Sequence, residues 1–284
     1  MPIDPQHLIA LRARGERIAY APRDAMLYAL GVGFGRDPAR AGELPFVFEG
    51  GGLRVAPTFA SAIAQSRFLA GCGWDESRLV PGSERLTLYR PLPPAGTLIL
   101  DSEVVGVHDL GKEAGALVLI HSAARSAADD QPLFAVQRGI FARGDGGFGA
   151  ALGAVPPPHG VPARPADLSC QLEIRADQAL VYRHSGDLNP IHADPDLARR
   201  AGLPGPVLQN LCTFGVACRG VLETICDFDP TLITGFEARY TGGVYPGDQL
   251  LLELWQDANI LAFRASVPAR ARTVLDNGRC VLSA

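Results

Sequence analysis

The sequence predicts an α+β fold in which one buried helix lies on one antiparallel sheet, and it predicts that arrangement twice. Three observations carry this. The segment ALGAVPPPHGVPARPAD, residues 151–167, holds three consecutive prolines and reads as an extended linker. On either side of it the same order of features appears. Ala56-Pro57-Thr58 opens an apolar helix expected to run to about Leu69, and Gly205-Pro206-Val207 opens another to about Leu222. Pro94-Ala95-Gly96-Thr97 then leads into an alternating strand, as Pro246-Gly247-Asp248 does later. Pro57 to Pro206 is 149 positions and Gly96 to Gly247 is 151, a near-constant offset that marks an internal duplication. The expected units are residues 1–150 and 168–284, joined by the linker 151–167.

Alternating and β-branched runs supply the strands. LILDSEVVGV, GALVLIHSAARS and LFAVQRGIFAR follow the first helix; LLLELW, ILAFRASVPARA and CVLS follow the second. Asp129-Asp130 marks a turn, and Asp276-Asn277-Gly278 reads as a hairpin signal. Two such sheets can join edge to edge, which hides edges that would otherwise invite pairing with other chains.

Composition excludes several functional classes. The chain has 284 residues, is 47 % hydrophobic and carries a net charge of −4, enough apolar content for a sizeable core. There is no basic stripe for nucleic acid and no polybasic run for an anionic membrane. No apolar segment reaches the roughly 20 residues a bilayer span requires. MPIDPQHLIALRAR lacks a signal-peptide pattern and the final LSA is not a peroxisomal tail, so a cytoplasmic protein is expected. The cysteines at 72, 170, 212, 218, 226 and 280 are scattered singly and read as reduced core residues. Cys212, inside the apolar run LCTFGVACRGVL, has no evident base beside it and reads as packing.

The stretch Tyr182 to Pro195, YRHSGDLNPIHADP, carries the chemistry. It sets Asp187 and His192 five residues apart on a frame broken by Gly186 and the Asn189-Pro190 step. A carboxylate and an imidazole held on such a loop can grip one water, one group taking a proton while the other delivers or removes one nearby. Two other readings of the residue types stand beside this. The segment can be turn material followed by an Asp194-Pro195 helix cap. Asp187, His192 and Asp194 can also be metal donors, although no second cluster of His, Cys or Asp lies near in sequence to complete a shell.

The string YRHSGDLNPIHADPDLARRAGLPGPVLQNLCTFG resembles the signature of the MaoC-like dehydratases, the type-2 (R-specific) enoyl-CoA hydratases. RGDGGFGA at 143–150, ERLTLYRPLPPAGTL at 84–98 and ARYTGGVYPGDQLLLELW at 238–255 resemble further landmarks of the two-domain members, so the likeness covers the chain from about Tyr20 onward. It implies a tandem double hot-dog fold, each unit a long helix wrapped by an antiparallel sheet. It also implies syn, reversible addition of water to a trans-2-enoyl thioester to give a (3R)-hydroxyacyl product, with Asp187 and His192 catalytic. Asn189 is then expected to orient the loop or the substrate carbonyl, and an amide near Asn210, at the start of the second helix, to meet the enolate oxygen. Gly82 and Tyr240 match positions that line the CoA or acyl path. The first half has nothing like the Asp-x-Asn-Pro-x-His segment, only FVFEGGGLRVAPTFA, and is expected to shape the acyl pocket without catalysing.

The expected partner is an acyl-CoA or acyl-carrier thioester, bound by a homodimer. No cofactor and no metal are expected: the thioester supplies the activation, and Gly31-Val32-Gly33-Phe34-Gly35 lacks dinucleotide-binding spacing. Three departures bear on binding. Gln209-Asn210 stands where members have His-Gly, Pro81-Gly82-Ser83 where they have His-Gly-Glu, and Leu110 where a lysine is common, with Lys112 nearby. A non-catalytic acyl-thioester-binding subunit and a thioesterase on the same fold are the alternatives.

Overall fold

The computed structural model describes residues 3–66 and 68–283. Its strands are β1 (Arg12–Tyr20), β2 (Leu79–Leu88), β3 (Gly96–Asp109), β4 (Ala116–Ser126), β5 (Pro132–Ala142), β6 (Ala151–Gly153), β7 (Leu168–Glu173), β8 (Ile233–Tyr240), β9 (Gln249–Asp257), β10 (Ile260–Val267) and β11 (Arg272–Leu282). They form one sheet in the order β1-β3-β4-β5-β2-β8-β11-β10-β9-β7, with β6 beside β3. Reading outward from the centre, β2-β5-β4-β3-β1 on one side repeats as β8-β11-β10-β9-β7 on the other. Two hot-dog units therefore share one sheet. The seam is the antiparallel pairing of β2 with β8, from Ser83 opposite Arg239 to Thr87 opposite Gly235, and it removes one exposed edge from each unit.

The helices are α1 (Pro5–Ala10), α2 (Pro22–Gly31), α3 (Leu44–Val47), α4 (Phe59–Ile63), α5 (Gln178–Tyr182), α6 (Pro195–Arg200) and α7 (Asn210–Thr224). Helix α7 is the second-half helix the sequence predicts, buried from Cys212 through Leu222. Its contact with the sheet is so close that a Cβ on Gly220 would stand 2.8 Å from both Leu172 of β7 and Leu252 of β9. On its other side a Cβ at Gly215 would meet Val32 and the Tyr28 hydroxyl of the first half, so α7 packs against both units. Each large side chain buried in this way contributes about 1.5–3 kcal/mol.

Three expectations need correction. The first-half helix does not reach Leu69: α4 ends at Ile63. Its last carbonyls are taken by side chains, Arg138 donating to Ala64 at 2.6 Å and to Ser61, and Gln65 donating to Ala62 at 3.2 Å, so no further turn forms on them. Asp276-Asn277-Gly278 is not a hairpin but a bulge within β11. Asn277 takes φ 54°, and the missing Cβ of Gly278 makes room for the Phe263 ring. The β9–β10 connection falls instead at Ala258, φ 52°. Finally, the first three linker residues are not irregular, since β6 pairs with β3.

The main core lies under α7 and spans both halves, with Phe214, Phe236 and Phe263 in ring contact. A smaller cluster of Leu8, Leu69, Val104, Val107 and Val118 sits under α1. Among the described residues no helix is long and apolar enough to cross a membrane.

Candidate active site

Between α5 and α7 the backbone is irregular for reasons its residues supply. Gly186 takes φ 117° and ends a 3-10 turn at Arg183–Ser185. Asn189 opens a second 3-10 turn, Pro190–His192, its Oδ1 accepting from the Ile191 amide at 3.1 Å. Asp194 caps α6, accepting from the amides of Asp196 at 2.8 Å and Leu197 at 3.1 Å, bonds that hold its carboxyl below the usual range. Two consecutive tight turns thus carry Asp187 and His192.

Those turns bring Asp187 Oδ2 and His192 Nε2 to 3.4 Å, with side-chain exposures of 33 % and 12 %. His192 Nδ1 lies 2.7 Å from the Val207 carbonyl, which can only accept, so Nδ1 carries a proton and donates there, while Nε2 faces Asp187. Burial pushes the Asp187 carboxyl up. The hydrogen bond and charge of His192, the Asn189 amide at 3.2 Å and Arg183 together outweigh that, and it ionises below its usual range.

Val207 also ties His192 to the entrance of α7. The first intrahelical bond there runs from the Thr213 amide to the Gln209 carbonyl at 3.1 Å, leaving the amides of Asn210, Leu211 and Cys212 ahead of it. Gln209 does not cap them: its side chain is fully buried and donates to the Ala179 carbonyl at 3.1 Å. Among the described residues these amides have no hydrogen-bond partner, so the helix start presents N–H groups and the positive end of its dipole.

His192, with Asp187 and Asn189 beside it on the loop, is thus tied to Val207, three residues ahead of Asn210 at the start of α7. Tyr240 closes β8, and its hydroxyl is buried without a hydrogen-bond partner among the described residues, as are the Tyr182 hydroxyl and Gln209 Oε1. Burial pushes both phenols well above their usual range, Tyr182 with added effect from Tyr28, Cys212, Tyr240 and Asp187, and Tyr240 from Glu84, so both are O–H donors. Gly82 is set apart. It forms a bulge in β2 where a Cβ would meet the Phe141 ring at 2.6 Å. It lines a cavity of about 170 Å³ on the outer face of the sheet, beside linker residues Val155 and His159, whose walls include neither Asp187 nor His192.

Sequence reasoning misses Tyr182 and the Val207 carbonyl as parts of this site. Tyr182 heads the motif and could have been read from it; the role of Val207 depends on a contact 15 residues away that no local pattern encodes. Cys212 is a packed thiol as expected, its Sγ donating to the Gly31 carbonyl at 3.4 Å and burial pushing its pKa well up. Among the described residues no group of three or more His, Cys, Asp or Glu is arranged to hold a metal ion.

Residues 159–277 match a family model described as a MaoC like domain, and residues 18–144 one described as an MFE-2 hydratase 2 N-terminal domain. The chain is 33 % identical to the Mycobacterium tuberculosis protein named Enoyl-CoA hydratase ChsH3, over 98 % of each chain. It is also 33 % identical to the Arabidopsis thaliana protein named Enoyl-CoA hydratase 2, peroxisomal, over 94 % of this chain and 92 % of that one. A solved MaoC-like dehydratase from Phytophthora capsici superimposes with a TM-score of 0.88 at 25 % identity, covering 99 % of this chain and 98 % of that chain.

Proposed function

Because the chain belongs to the MaoC-like dehydratase family, in its two-unit enoyl-CoA hydratase form, and is a hydro-lyase, we propose that Asp187 and His192 add water reversibly and syn across a trans-2-enoyl thioester to give the (3R)-hydroxyacyl product. The observation that carries this is the 3.4 Å approach of the two groups beside free amides at the start of α7. The water oxygen bonds to C3, its proton passes to the pair, and the pair returns one proton to C2. Each such step contributes about 10²- to 10⁴-fold. Addition to C3 drives electrons onto the thioester oxygen, and an amide at Asn210 meets that charge, an interaction worth about 3–4 kcal/mol. Asn189 holds the loop through its own turn. The buried hydroxyls of Tyr182 and Tyr240 are donors that a bound thioester and water can satisfy. Tyr240 lines the path of the acyl-CoA or acyl-carrier thioester; Gly82, in its separate cavity, is left out of it.

In this reading the first half shapes the acyl pocket and carries no catalytic group. The thioester supplies the activation, so no cofactor takes part, and the working form is a homodimer. Six free cysteines support a reducing compartment, which we take to be the cytoplasm. The test is a panel of enoyl and 3-hydroxyacyl thioesters followed by absorbance, with the product's configuration determined. Hydration of crotonyl-CoA to the (3R) product is expected. Release of free thiol without hydration would make the protein a thioesterase, and a (3S) product would overturn the proposed stereochemistry.

A further inference from the structure

We propose that Arg138 and Glu84, both in the first half, are positioning residues for the chemistry of the second half: they fix the end of α4 on which the Gly186 turn of the catalytic loop rests. The inference builds on the assignment of Asp187 and His192 as the reacting pair.

The pair is unusual for its place. Glu84 has a side-chain exposure of 2 % and Arg138 of 18 %, and Arg138 Nε lies 3.1 and 3.2 Å from the two carboxylate oxygens. Taking two charges out of water is costly, and well-packed apolar residues at such positions are often equally or more stabilising. Burial pushes the Glu84 carboxyl up against the pull of Arg138 and the Ser61 hydroxyl. A core pair with so little to add to stability calls for a geometric role, and the rest of the guanidinium supplies one. Its two terminal nitrogens donate to the Ala64 carbonyl at 2.6 Å and to the Ser61 carbonyl, holding the last turn of α4. A planar, forked donor can hold both carbonyls and the carboxylate together; an ammonium cannot.

The end of α4 in turn abuts the catalytic loop. A Cβ placed on Gly186 would lie 3.6 Å from Gln65 Nε2 and 4.0 Å from the Ala62 carbonyl, and Gln65 is itself bonded to that carbonyl. Gly186 immediately precedes Asp187. Any shift of α4 away from Arg138 therefore moves the surface against which the Asp187 turn is set, and small misplacements of reacting groups are costly in rate.

The experiment compares Arg138→Met, Arg138→Lys and the double variant Glu84→Gln/Arg138→Met with wild type, in crotonyl-CoA hydration and in thermal melting, with Asp187→Asn as control. Arg138→Met is expected to lower kcat by at least about tenfold with KM within about twofold, and to melt earlier because Glu84 is left buried and unpaired. The double variant is expected to regain most of the melting temperature, yet remain low in kcat because the α4 carbonyls are still unheld. Arg138→Lys is expected to fall between. A double variant that regains kcat together with stability overturns the proposal, as does wild-type kcat in a folded Arg138→Met. Should Arg138→Met fail to fold, the double variant decides by the same criterion. Full activity in Asp187→Asn overturns the site assignment and this inference with it; an inactive Asp187→Asn beside a fully active double variant overturns this inference alone.

Discussion

From the β2–β8 seam outward the two halves repeat the same five-strand succession, yet α7 runs 15 residues where α4 runs 5. The entrance of α7 leaves its first amides uncapped, beside a loop carrying an acid and a base. The exit of α4 has its carbonyls taken by Arg138 and Gln65. The sheet repeats while the residues that start and stop its helix do not, and under the proposed function that difference leaves the chemistry to the second unit. The comparison also shows dependence, since α7 is wedged against Tyr28 and Val32 of the other half.

The sharpest way to break that dependence is to separate the halves. A fragment starting near Pro165 exposes the β8 edge and the first-half face of α7 and should be insoluble or inactive when expressed alone, judged by soluble yield and hydration rate. A soluble, fully active fragment would mean the first unit is dispensable.

A smaller effect sharpens the account of α7. Gly220→Val should overpack the contact with Leu172 and Leu252 and lower stability by about 1–3 kcal/mol, read as a shift in urea midpoint. An unchanged midpoint would mean that the helix can ride away from the sheet.

The pH dependence of stability reports on the Asp187 carboxylate. Asp187 ionises below its usual range, so its contribution is present above the unfolded value of about 3.9 and is lost as pH falls through the depressed one. The gap in urea midpoint between wild type and Asp187→Asn should be widest at neutral pH and close on acidification. A gap that opens towards acid would reverse the sign.

The smallest effect concerns the helix entrance. Asn210 places a side chain where the family resemblance implies glycine, so Asn210→Gly should raise kcat/KM on crotonyl-CoA a few-fold by easing close approach of the thioester. A loss would instead make its carboxamide a donor to the carbonyl.

Much of this architecture is legible in the chain. The alternation in LILDSEVVGV and LLLELW gives β3 and β9, and the apolar run after Gln209 gives α7, because burial on one face imposes a period on local sequence. β1, RARGERIAY, is harder to read: it lies at the sheet edge and shows mostly polar residues to solvent. The stop of α4 is only partly encoded near α4: Gln65 takes the Ala62 carbonyl, but the side chain that holds Ser61 lies 77 residues downstream. Asp187 and His192 stand out because their turns are local. The Val207 carbonyl that orients His192, and the hydroxyls of Tyr182 and Tyr240 left without a partner among the described residues, follow from packing that only the folded chain supplies.

The central claim, that hydration is carried by one loop of the second half, is tested most directly by kcat/KM for crotonyl-CoA in Asp187→Asn, His192→Gln and the double variant, each verified as folded. Each single change should cost at least about 10²-fold, and the double little more, because groups acting on one water behave as a unit. A loss below about tenfold in either single variant, under the floor for acid-base groups, would contradict it.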